Sequence, residues 1–316
     1  MASPVKKITL GIDVSKDTLD VCRWDDQQHW QLANDADSIR KWLKSFSGPA
    51  QIALEPTSHY HLAVVEIAHS LGHALYLVNP RQLAHYRPAV GQRSKTDATD
   101  AWLLARYLAR ERDQLRRVKP LSRQAQQLWS LLKRRALIVR TQQQLRQSLA
   151  PLKLSAKAVQ RELAQLIRRI DARITKLIDT LGWTHDYQRC QTTPGIGPVN
   201  AAALVAAYHR GTFASADAFI AYLGLDVRTR QSGKYKGKCK LTKHGEPELR
   251  RLLWCATRAA CSYAPFEQYR LRKIDDGLSK IAARVVLARK LARIAFALMR
   301  NQTNFEKRPP EPCMSP

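Results

Sequence analysis

The chain has 316 residues, 45% of them hydrophobic, so it is long enough for two or three domains with buried cores. Its formal net charge of +27, from 53 Lys and Arg against 26 Asp and Glu, predicts a polyanionic partner, either nucleic acid or an anionic membrane. No apolar run approaches the roughly 20 residues that span a bilayer, and we predict no signal peptide before the first strand, so a cytoplasmic nucleic-acid partner is favoured.

The positive charge is concentrated in one part of the chain. Up to Leu115 there are 14 basic and 13 acidic residues, and from Arg116 onward there are 39 basic and 13 acidic residues. A nearly neutral N-terminal third followed by a strongly basic remainder is typical of nucleic-acid-binding proteins. The six cysteines form no C-x-x-C pair and have no metal-ligand spacing with the histidines. They are expected to be reduced thiols of a cytosolic protein rather than zinc ligands.

The first 115 residues alternate between strand and helix patterns. Short apolar or alternating runs predict strands, and amphipathic runs predict helices. The predicted order is strands 8–14, 18–24 and 30–33, helix 38–46, strand 51–54, helix 61–71, strand 74–78, a loop that includes residues 92–95, and a helix that starts at Asp97. This order predicts an α/β domain with a mixed sheet over residues 1–115.

Four acidic residues fall at informative positions in these elements. Asp13 lies in a strand among apolar residues, where an unpaired charge is costly, and Glu55 follows the carboxyl end of a strand, where open α/β sheets place their sites. Asp97 and Asp100 are three residues apart at a helix start, so their carboxylates share one face. Adjacent carboxylates repel each other, and Mg²⁺ is the usual ion of oxygen-only sites.

This layout is that of the ribonuclease-H-like nucleases and recombinases, in which acids from the first and fourth strands and the last helix hold two metal ions. Alternative interpretations of each residue stay open. Asp13 can cap a turn, Glu55 can be a surface residue, and an Asp-x-x-Asp pair is often a solvated first helical turn favoured by the helix dipole.

From residue 116 the pattern becomes helical. A first helical segment starts near residue 124 and is interrupted by Pro151, and a second begins near Ala156. The second segment carries apolar residues at alternating spacings of four and three, which is the a/d pattern of a coiled coil. These residues are Leu163, Ile167, Ile170, Ile174, Leu177 and Leu181. We predict an antiparallel, basic coiled-coil arm over residues 116–185; its seam can pack within the chain or form a dimer.

Residues 186–303 are predicted to form a mostly α-helical domain, followed by a disordered tail over residues 304–316. Gly195 and Gly197 form a Gly-x-Gly turn before an apolar helix at residues 201–208. In helix-hairpin-helix motifs such a turn exposes N–H groups that hold a DNA phosphate. A plain tight turn is an equally good interpretation.

Cations occupy alternate positions around Ser232. An extended chain would place them on one side with the hydroxyl, and a turn at Gly233 or Gly237 would fold them around the serine. Either conformation gives Ser232 an electropositive setting that suits attack on a phosphate, although a flexible loop that merely holds a phosphate backbone is an alternative. The cations are Arg228, Arg230, Lys234, Lys236, Lys238 and Lys240, and with Lys95, Gly195 and Gly197 they are the predicted nucleic-acid-binding residues.

Several of these motifs occur together in one known family. The chain resembles the transposases of the insertion-sequence 110 family, including its 1111 subgroup, in the same order along nearly the whole chain. The matching segments are 11–16 (GIDVSK), 54–57 (LEPT), 78–80 (VNP), 95–101 (KTDATDA), 194–197 (PGIG), 222–225 (YLGL), 231–233 (QSG) and 249–251 (LRR).

The resemblance implies a RuvC-like N-terminal domain in which Asp13, Glu55, Asp97 and Asp100 bind Mg²⁺. It also implies a C-terminal transposase domain in which Ser232 attacks DNA and forms a covalent phosphoserine intermediate. Members of the family act on donor and target DNA and are guided by a structured non-coding RNA, the bridge RNA. In the family, two protomers of a dimer complete one active site, and dimers pair into a homotetramer.

Three other functions agree with part of the sequence. A metal-dependent junction nuclease would activate water and leave Ser232 without a role. A sugar-kinase or actin-like ATPase also begins with Gly-Ile-Asp-Val but needs a second α/β half, which the helical remainder does not offer. A non-catalytic nucleic-acid-binding protein accounts for the charge but not for Asp13 and Glu55.

Overall fold

The computed structural model describes residues 8–57, 59–92, 94, 96–228, 231–232, 235–236 and 239–307. The chain divides into two compact units, Met1–Pro120 and Leu121–Pro316, and each is described by itself below. Across the described ranges, every helix is too short or too polar to cross a membrane.

The first unit is built on a six-stranded sheet. Its strands are β1 (Thr9–Val14), β2 (Thr18–Arg23), β3 (His29–Ala33), β4 (Gln51–Leu54), β5 (Ala74–Leu77) and β6 (Arg117–Val118). Its helices are α1 (Ala36–Lys44), α2 (Leu62–Ser70), α3 (Pro80–Ala89) and α4 (Asp97–Glu111). The strand order is β3-β2-β1-β4-β5-β6; β4 and β5 run parallel to β1, whereas the β1–β2, β2–β3 and β5–β6 pairs are antiparallel. The predicted mixed sheet of an α/β domain is therefore confirmed.

Helices cover both faces of the central strands. Leu10 and Ile12 point to one face, where they pack in a core with Ile39 of α1 and Val64 of α2. The alternate residues of the sheet point to the other face, where Ala53 shares a core with residues of α4. Because side chains alternate along a strand, Gly11 and Asp13 of β1 also face α4. This geometry places the acidic residues of both elements on one side of the sheet.

Helix α3 corrects the sequence interpretation, which placed a loop between strand 74–78 and Asp97. The side chain of Asn79 caps the helix by accepting a hydrogen bond from the N–H of Arg81 (2.9 Å), and Pro80 occupies the first helical position. Leu83 is the only fully buried residue described in α3, and Pro88 lies inside it. The helix was missed because its apolar periodicity is weak, although its start signals are present.

The second unit is mostly helical, as predicted. Its helices are α5 (Arg123–Leu149), α6 (Lys157–Thr180), α7 (Thr184–Gln191), α8 (Pro198–His209), α9 (Ala216–Tyr222), α10 (Pro247–Ala260), α11 (Ala264–Asp275) and α12 (Lys280–Asn301). Four two-residue strands lie between α9 and α10: β7 (Val227–Arg228), β8 (Gln231–Ser232), β9 (Tyr235–Lys236) and β10 (Lys240–Leu241). Apolar residues of α5 to α12 share one large core.

Helices α5 and α6 run antiparallel. The Gln142 and Gln160 side chains each donate a hydrogen bond to the other residue's backbone carbonyl (3.3 and 3.1 Å), and the Arg135 guanidinium binds both carboxylate oxygens of Asp171. Of the predicted seam residues, Ile174 and Leu177 are fully buried and the other four are half-buried. The coiled-coil arm and the domain boundaries at residues 115, 185 and 303 stay predictions.

Part of the predicted disordered tail is described. The Phe305 backbone N–H donates a hydrogen bond to the Thr192 hydroxyl (2.8 Å), and its ring packs against Tyr263 and Phe266 with centroid separations of 5.9 and 5.8 Å. Tail residues 304–307 are described, and residues 308–316 lie outside the described residues.

Candidate active site

The close packing of α4 on β1 positions three of the predicted acids. A Cβ atom built on Gly11 would lie 2.1 Å from the carbonyl oxygen of Ala101 and 2.2 Å from the nitrogen of Ala105, so only glycine permits this approach. From Gly11, Asp13 lies about 6.6 Å further along β1 on the same face. From Ala101, Asp97 lies one helical turn back, about 6 Å along α4. Asp13 therefore comes level with the first turn of α4.

Glu55 is brought to the same place by strand register. Strands β1 and β4 are parallel, and Ile12 is paired with Leu54. The next residues along the two strands are Asp13 and Glu55, and neighbouring parallel strands are about 4.8 Å apart. Both side chains are half-buried. The carboxyl ends of the two central strands thus present two carboxylates side by side.

The start of α4 is set by a capping box. The Thr96 hydroxyl accepts a hydrogen bond from the Thr99 N–H (3.2 Å), and the Thr99 hydroxyl accepts one from the Thr96 N–H (2.9 Å). This cap makes Asp97 the first residue of the helix, so Asp97 and Asp100 both lie in its first turn. Asp97 is exposed, and the side chain of Asp100 is 13% exposed.

The electrostatics show that the four acids share one neighbourhood. Burial and the negative charges of Asp100, Asp97 and Glu55, in that order, raise the pKa of Asp13 to about 6 from a usual 3.8. One hydrogen bond from the backbone N–H of Val14 acts in the opposite direction. The structure therefore places the four predicted acids near one another, although their catalytic and metal-binding roles stay predictions.

The donor set has the chemistry of a divalent-cation site. Four carboxylates, one of them with a pKa raised by burial and by the charges of the other three, form a group that a cation would stabilise. Among the described residues, however, no group of three or more His, Cys, Asp or Glu side chains is arranged closely enough to hold a metal ion. The carboxylate ligands suit Mg²⁺, and their side chains would have to move closer together to coordinate it.

Arg87 is a residue of this site that sequence reasoning missed. Its guanidinium forms an ion pair with the Asp100 carboxylate, and it also donates a hydrogen bond to the Ser94 carbonyl (3.1 Å). Arg87 lies 13 residues before Asp100, in the helix that was predicted to be a loop. No motif or periodicity in the sequence links the two positions.

Ser232 lies on a small hairpin in the second unit. Strands β8 and β9 are antiparallel, and Ser232 is paired with Tyr235. Ser232 and Tyr235 therefore do not belong to one continuous extended run; Gly233 and Gly237, considered for a turn, lie outside the described residues. Ser232 is exposed. Its role as the nucleophile stays a prediction.

The base of this hairpin segment is held by backbone contacts. Strands β7 and β10 pair, and the Asp226 carbonyl accepts a hydrogen bond from the Thr242 N–H (3.0 Å). The backbones of two flanking glycines also approach each other closely, since a Cβ on Gly224 would lie 2.4 Å from the nitrogen of Gly245. Gly224 also has a φ of +69°, which favours glycine. The segment that carries Ser232 is thus attached to the helical core at a fixed point.

Two of the predicted cations are cross-strand neighbours. Arg228 of β7 is paired with Lys240 of β10, and both residues are exposed. Like charges at opposed positions destabilise an antiparallel pair, so this arrangement favours an anionic ligand. Lys236 lies on β9 next to the serine strand. The remaining predicted cations, Lys95, Arg230, Lys234 and Lys238, lie outside the described residues.

The two glycines of the predicted Gly-x-Gly turn have different surroundings. Gly195 has a φ of +89°, and a Cβ there would lie 2.6 Å from both the Ala256 carbonyl oxygen and the Ala260 nitrogen. It is required for packing against α10. Gly197 is the N-cap of α8, and a Cβ there would meet nothing within 4 Å. Of the two, only Gly197 leaves space beside it for a ligand.

Comparisons with known proteins match two stretches of the chain to family models. Residues 10–156 match the DEDD-type family model described as "Transposase", and residues 187–271 match the model described as "Transposase IS116/IS110/IS902 family". The chain is 29% identical to a "Pilin gene-inverting protein" of Moraxella bovis over 96% of this chain and 99% of that protein. It is 26% identical to a "Probable family 20 transposase" of Pseudomonas aeruginosa over 94% of this chain and 98% of that protein.

Together the two family models cover well over half of the chain; the first match ends after α5, and the second begins after α6. The chain belongs to the IS110 family of transposases. As a member of this family, it is a DNA rearrangement enzyme.

Proposed function

We propose that the protein is an RNA-guided, site-specific DNA recombinase that cleaves and exchanges strands through a covalent phosphoserine–DNA intermediate. The observation that carries the proposal is the convergence of Asp13, Glu55, Asp97 and Asp100 at one end of the sheet in the first unit. The strand order, with β1 central, and the placement of acids in β1, after β4 and at the start of α4 support a RuvC-like domain.

Mg²⁺ would be held by the four carboxylates, and when bound it would polarise the scissile phosphate. The Ser232 oxygen forms a bond to phosphorus, the bond from phosphorus to one sugar oxygen breaks, and that oxygen leaves as a hydroxyl after protonation. The proton that the serine hydroxyl loses passes through solvent to this leaving oxygen, so the step is balanced. The charges of Arg228 and Lys240, which are neighbours on the base of the serine hairpin, hold DNA phosphates close to the hydroxyl.

The excess of positive charge supports two polyanionic partners. We propose donor and target DNA together with a structured bridge RNA as ligands of the basic C-terminal part of the chain. We further propose a homodimer in which the acids of one protomer act with Ser232 of the other, and pairing of dimers into a homotetramer.

The experiment that tests the chemistry is detection of a covalent adduct. With Mg²⁺, co-purified RNA and end-labelled donor DNA, the wild-type protein should carry label through a denaturing gel. Ser232→Ala should abolish this adduct and leave RNA binding intact, because the hydroxyl alone is removed from an exposed hairpin. Ser130→Ala, at an exposed position of α5, is the matched control and should behave like wild type.

The other outcomes identify the alternatives. Free DNA ends without attached protein would favour a metal-dependent junction nuclease that activates water. An adduct that survives Ser232→Ala would show that another residue is the nucleophile. Binding of nucleic acid without Mg²⁺-dependent cleavage would favour a non-catalytic role.

A further inference from the structure

The guanidinium of Arg87 occupies a position beside the acid cluster of the first unit. Arg87 lies in the last turn of α3, where one of its terminal nitrogens pairs with Asp100 and the other donates to the Ser94 carbonyl (3.1 Å). The side chains of Arg87 and Asp100 are 16% and 13% exposed. This pair is therefore largely removed from water, unlike an ordinary surface ion pair.

The backbone of Arg87 also takes part in shaping the site. Its carbonyl accepts a hydrogen bond from the Gln92 N–H (3.1 Å), which ends α3 and turns the chain toward α4. A single residue thus contacts the connection from α3 to α4 at Gln92 and Ser94, and reaches across it to Asp100. Its side chain is held in one place by two polar partners.

The contact with Asp100 opposes metal binding. The guanidinium takes up one lone pair of the Asp100 Oδ1 atom, and its positive charge repels a cation that approaches the same carboxylate. In the described part of the chain, the acidic side chains are not drawn together into a group that could hold a metal ion. The guanidinium instead supplies the counter-charge for Asp100.

We propose that Arg87 is a substrate-positioning residue that exchanges partners: it neutralises Asp100 in the metal-free protein, and metal binding displaces its guanidinium onto a phosphate of the DNA. This inference rests on the proposed metal-dependent function and adds a residue to it. A guanidinium binds a phosphate with two parallel hydrogen bonds as readily as it binds a carboxylate. The exchange would link the arrival of metal to the positioning of DNA at the same site.

The first test is metal affinity in the absence of DNA. Mn²⁺ is titrated calorimetrically into the full-length wild-type protein, Arg87→Gln and the control Arg81→Gln, an exposed residue of the same helix. Removing the competing cation should tighten Mn²⁺ binding about tenfold in Arg87→Gln, which corresponds to the loss of one charge-assisted hydrogen bond. Arg81→Gln should leave the affinity unchanged. A purely structural role for Arg87 predicts the opposite, because a loosened site binds metal more weakly.

The second test is the salt dependence of DNA binding, measured with a fluorescent duplex in Mn²⁺ and in EDTA. In Mn²⁺ the slope of log K against log salt should be smaller by about one phosphate contact in Arg87→Gln than in wild type. In EDTA the two slopes should agree, because Arg87 is then engaged by Asp100. Arg87→Lys, which keeps the charge but not the two-pronged geometry, should retain the wild-type slope.

The outcomes separate this inference from the function on which it rests. If the wild-type protein bound no Mn²⁺, or if Asp13→Asn left Mn²⁺ binding unchanged, the proposed metal site itself would be wrong. Mn²⁺ binding that Arg87→Gln leaves unchanged or weakens would overturn the exchange and leave the metal site standing. If Arg87→Gln does not fold, Arg87→Met, which keeps the aliphatic stem and removes the charge, replaces it in both tests, and unchanged or weaker Mn²⁺ binding in that variant would likewise refute the proposal.

Discussion

At the scale of single residues, folding makes the ionised form of the Asp13 carboxyl unfavourable. Its burial and three neighbouring carboxylates raise its pKa to about 6. A raised pKa means that the folded chain binds the Asp13 proton more tightly than the unfolded chain does. Its contribution to stability is therefore complete below about pH 3.8 and is lost as the pH rises through about 6. Above that range the ionised carboxylate opposes folding in the absence of a cation.

Asp13→Asn should consequently stabilise the metal-free protein at pH 7.5. We expect a gain of about 1 kcal/mol, less than the full shift implies because solvent screens part of the repulsion, and the gain should shrink as the pH is lowered toward 4. Urea unfolding in EDTA at several pH values measures it. Asp17→Asn, at an exposed turn position, is the control and should change stability little at any of these pH values. A destabilised Asp13→Asn at pH 7.5 would contradict the repulsion that we infer.

At the scale of secondary-structure elements, the site depends on how closely α4 approaches β1. The approach requires a residue without a side chain at Gly11 and small residues at Ala101 and Ala105. It places the first turn of α4 beside the carboxyl ends of β1 and β4. The position of Asp97 and Asp100 is thus a result of backbone packing several residues away from them.

Gly11→Ala should separate the two elements, since a new methyl group would overlap backbone atoms that cannot move individually. We expect a loss of about 1–3 kcal/mol in the free energy of unfolding, together with weaker Mn²⁺ binding. Gly48→Ala is the matched control, because a Cβ there meets nothing within 4 Å, and it should change stability by less than about 0.5 kcal/mol. Equal stabilities of the two variants would show that the α4–β1 contact is not as tight as described.

At the scale of the whole molecule, the net charge of +27 should dominate the affinity of the protein for nucleic acids. Positive charge beyond Arg116 is too abundant to be neutralised within the chain, which has 13 acidic residues there against 39 basic ones. The largest part of its affinity for DNA and RNA should therefore come from release of counterions from phosphates.

Affinity for a DNA duplex should fall about 10³-fold when salt is raised from roughly 50 to 200 mM. Fluorescence anisotropy measures this. Arg228→Gln, at a position opposite Lys240, should reduce the salt slope by about one contact, whereas Asp97→Asn should not reduce it. Binding that is insensitive to salt would mean that the basic residues do not face the nucleic acid.

The local patterns of the sequence were sufficient to predict the mixed sheet of the first unit and the helical nature of the second. The apolar run of β1, the alternation along β2 and the periodicity of α4, α5 and α12 are strong local signals, because these elements bury apolar side chains in the cores. Helix α3 lacks that signal, and so do the short helices α7, α9 and α11. Their positions were missed because packing against neighbours, rather than their own pattern, stabilises them.

By itself, the sequence determined which residues are candidates for the site: four acids on successive elements and a serine among alternating cations. These are statements about residue type and spacing, which local structure preserves. Only the tertiary structure decided that Gly11 admits α4, that strand register brings Glu55 beside Asp13, and that Arg87 contacts Asp100. Contacts of this kind join residues distant along the chain, so they depend on packing geometry that no local pattern encodes.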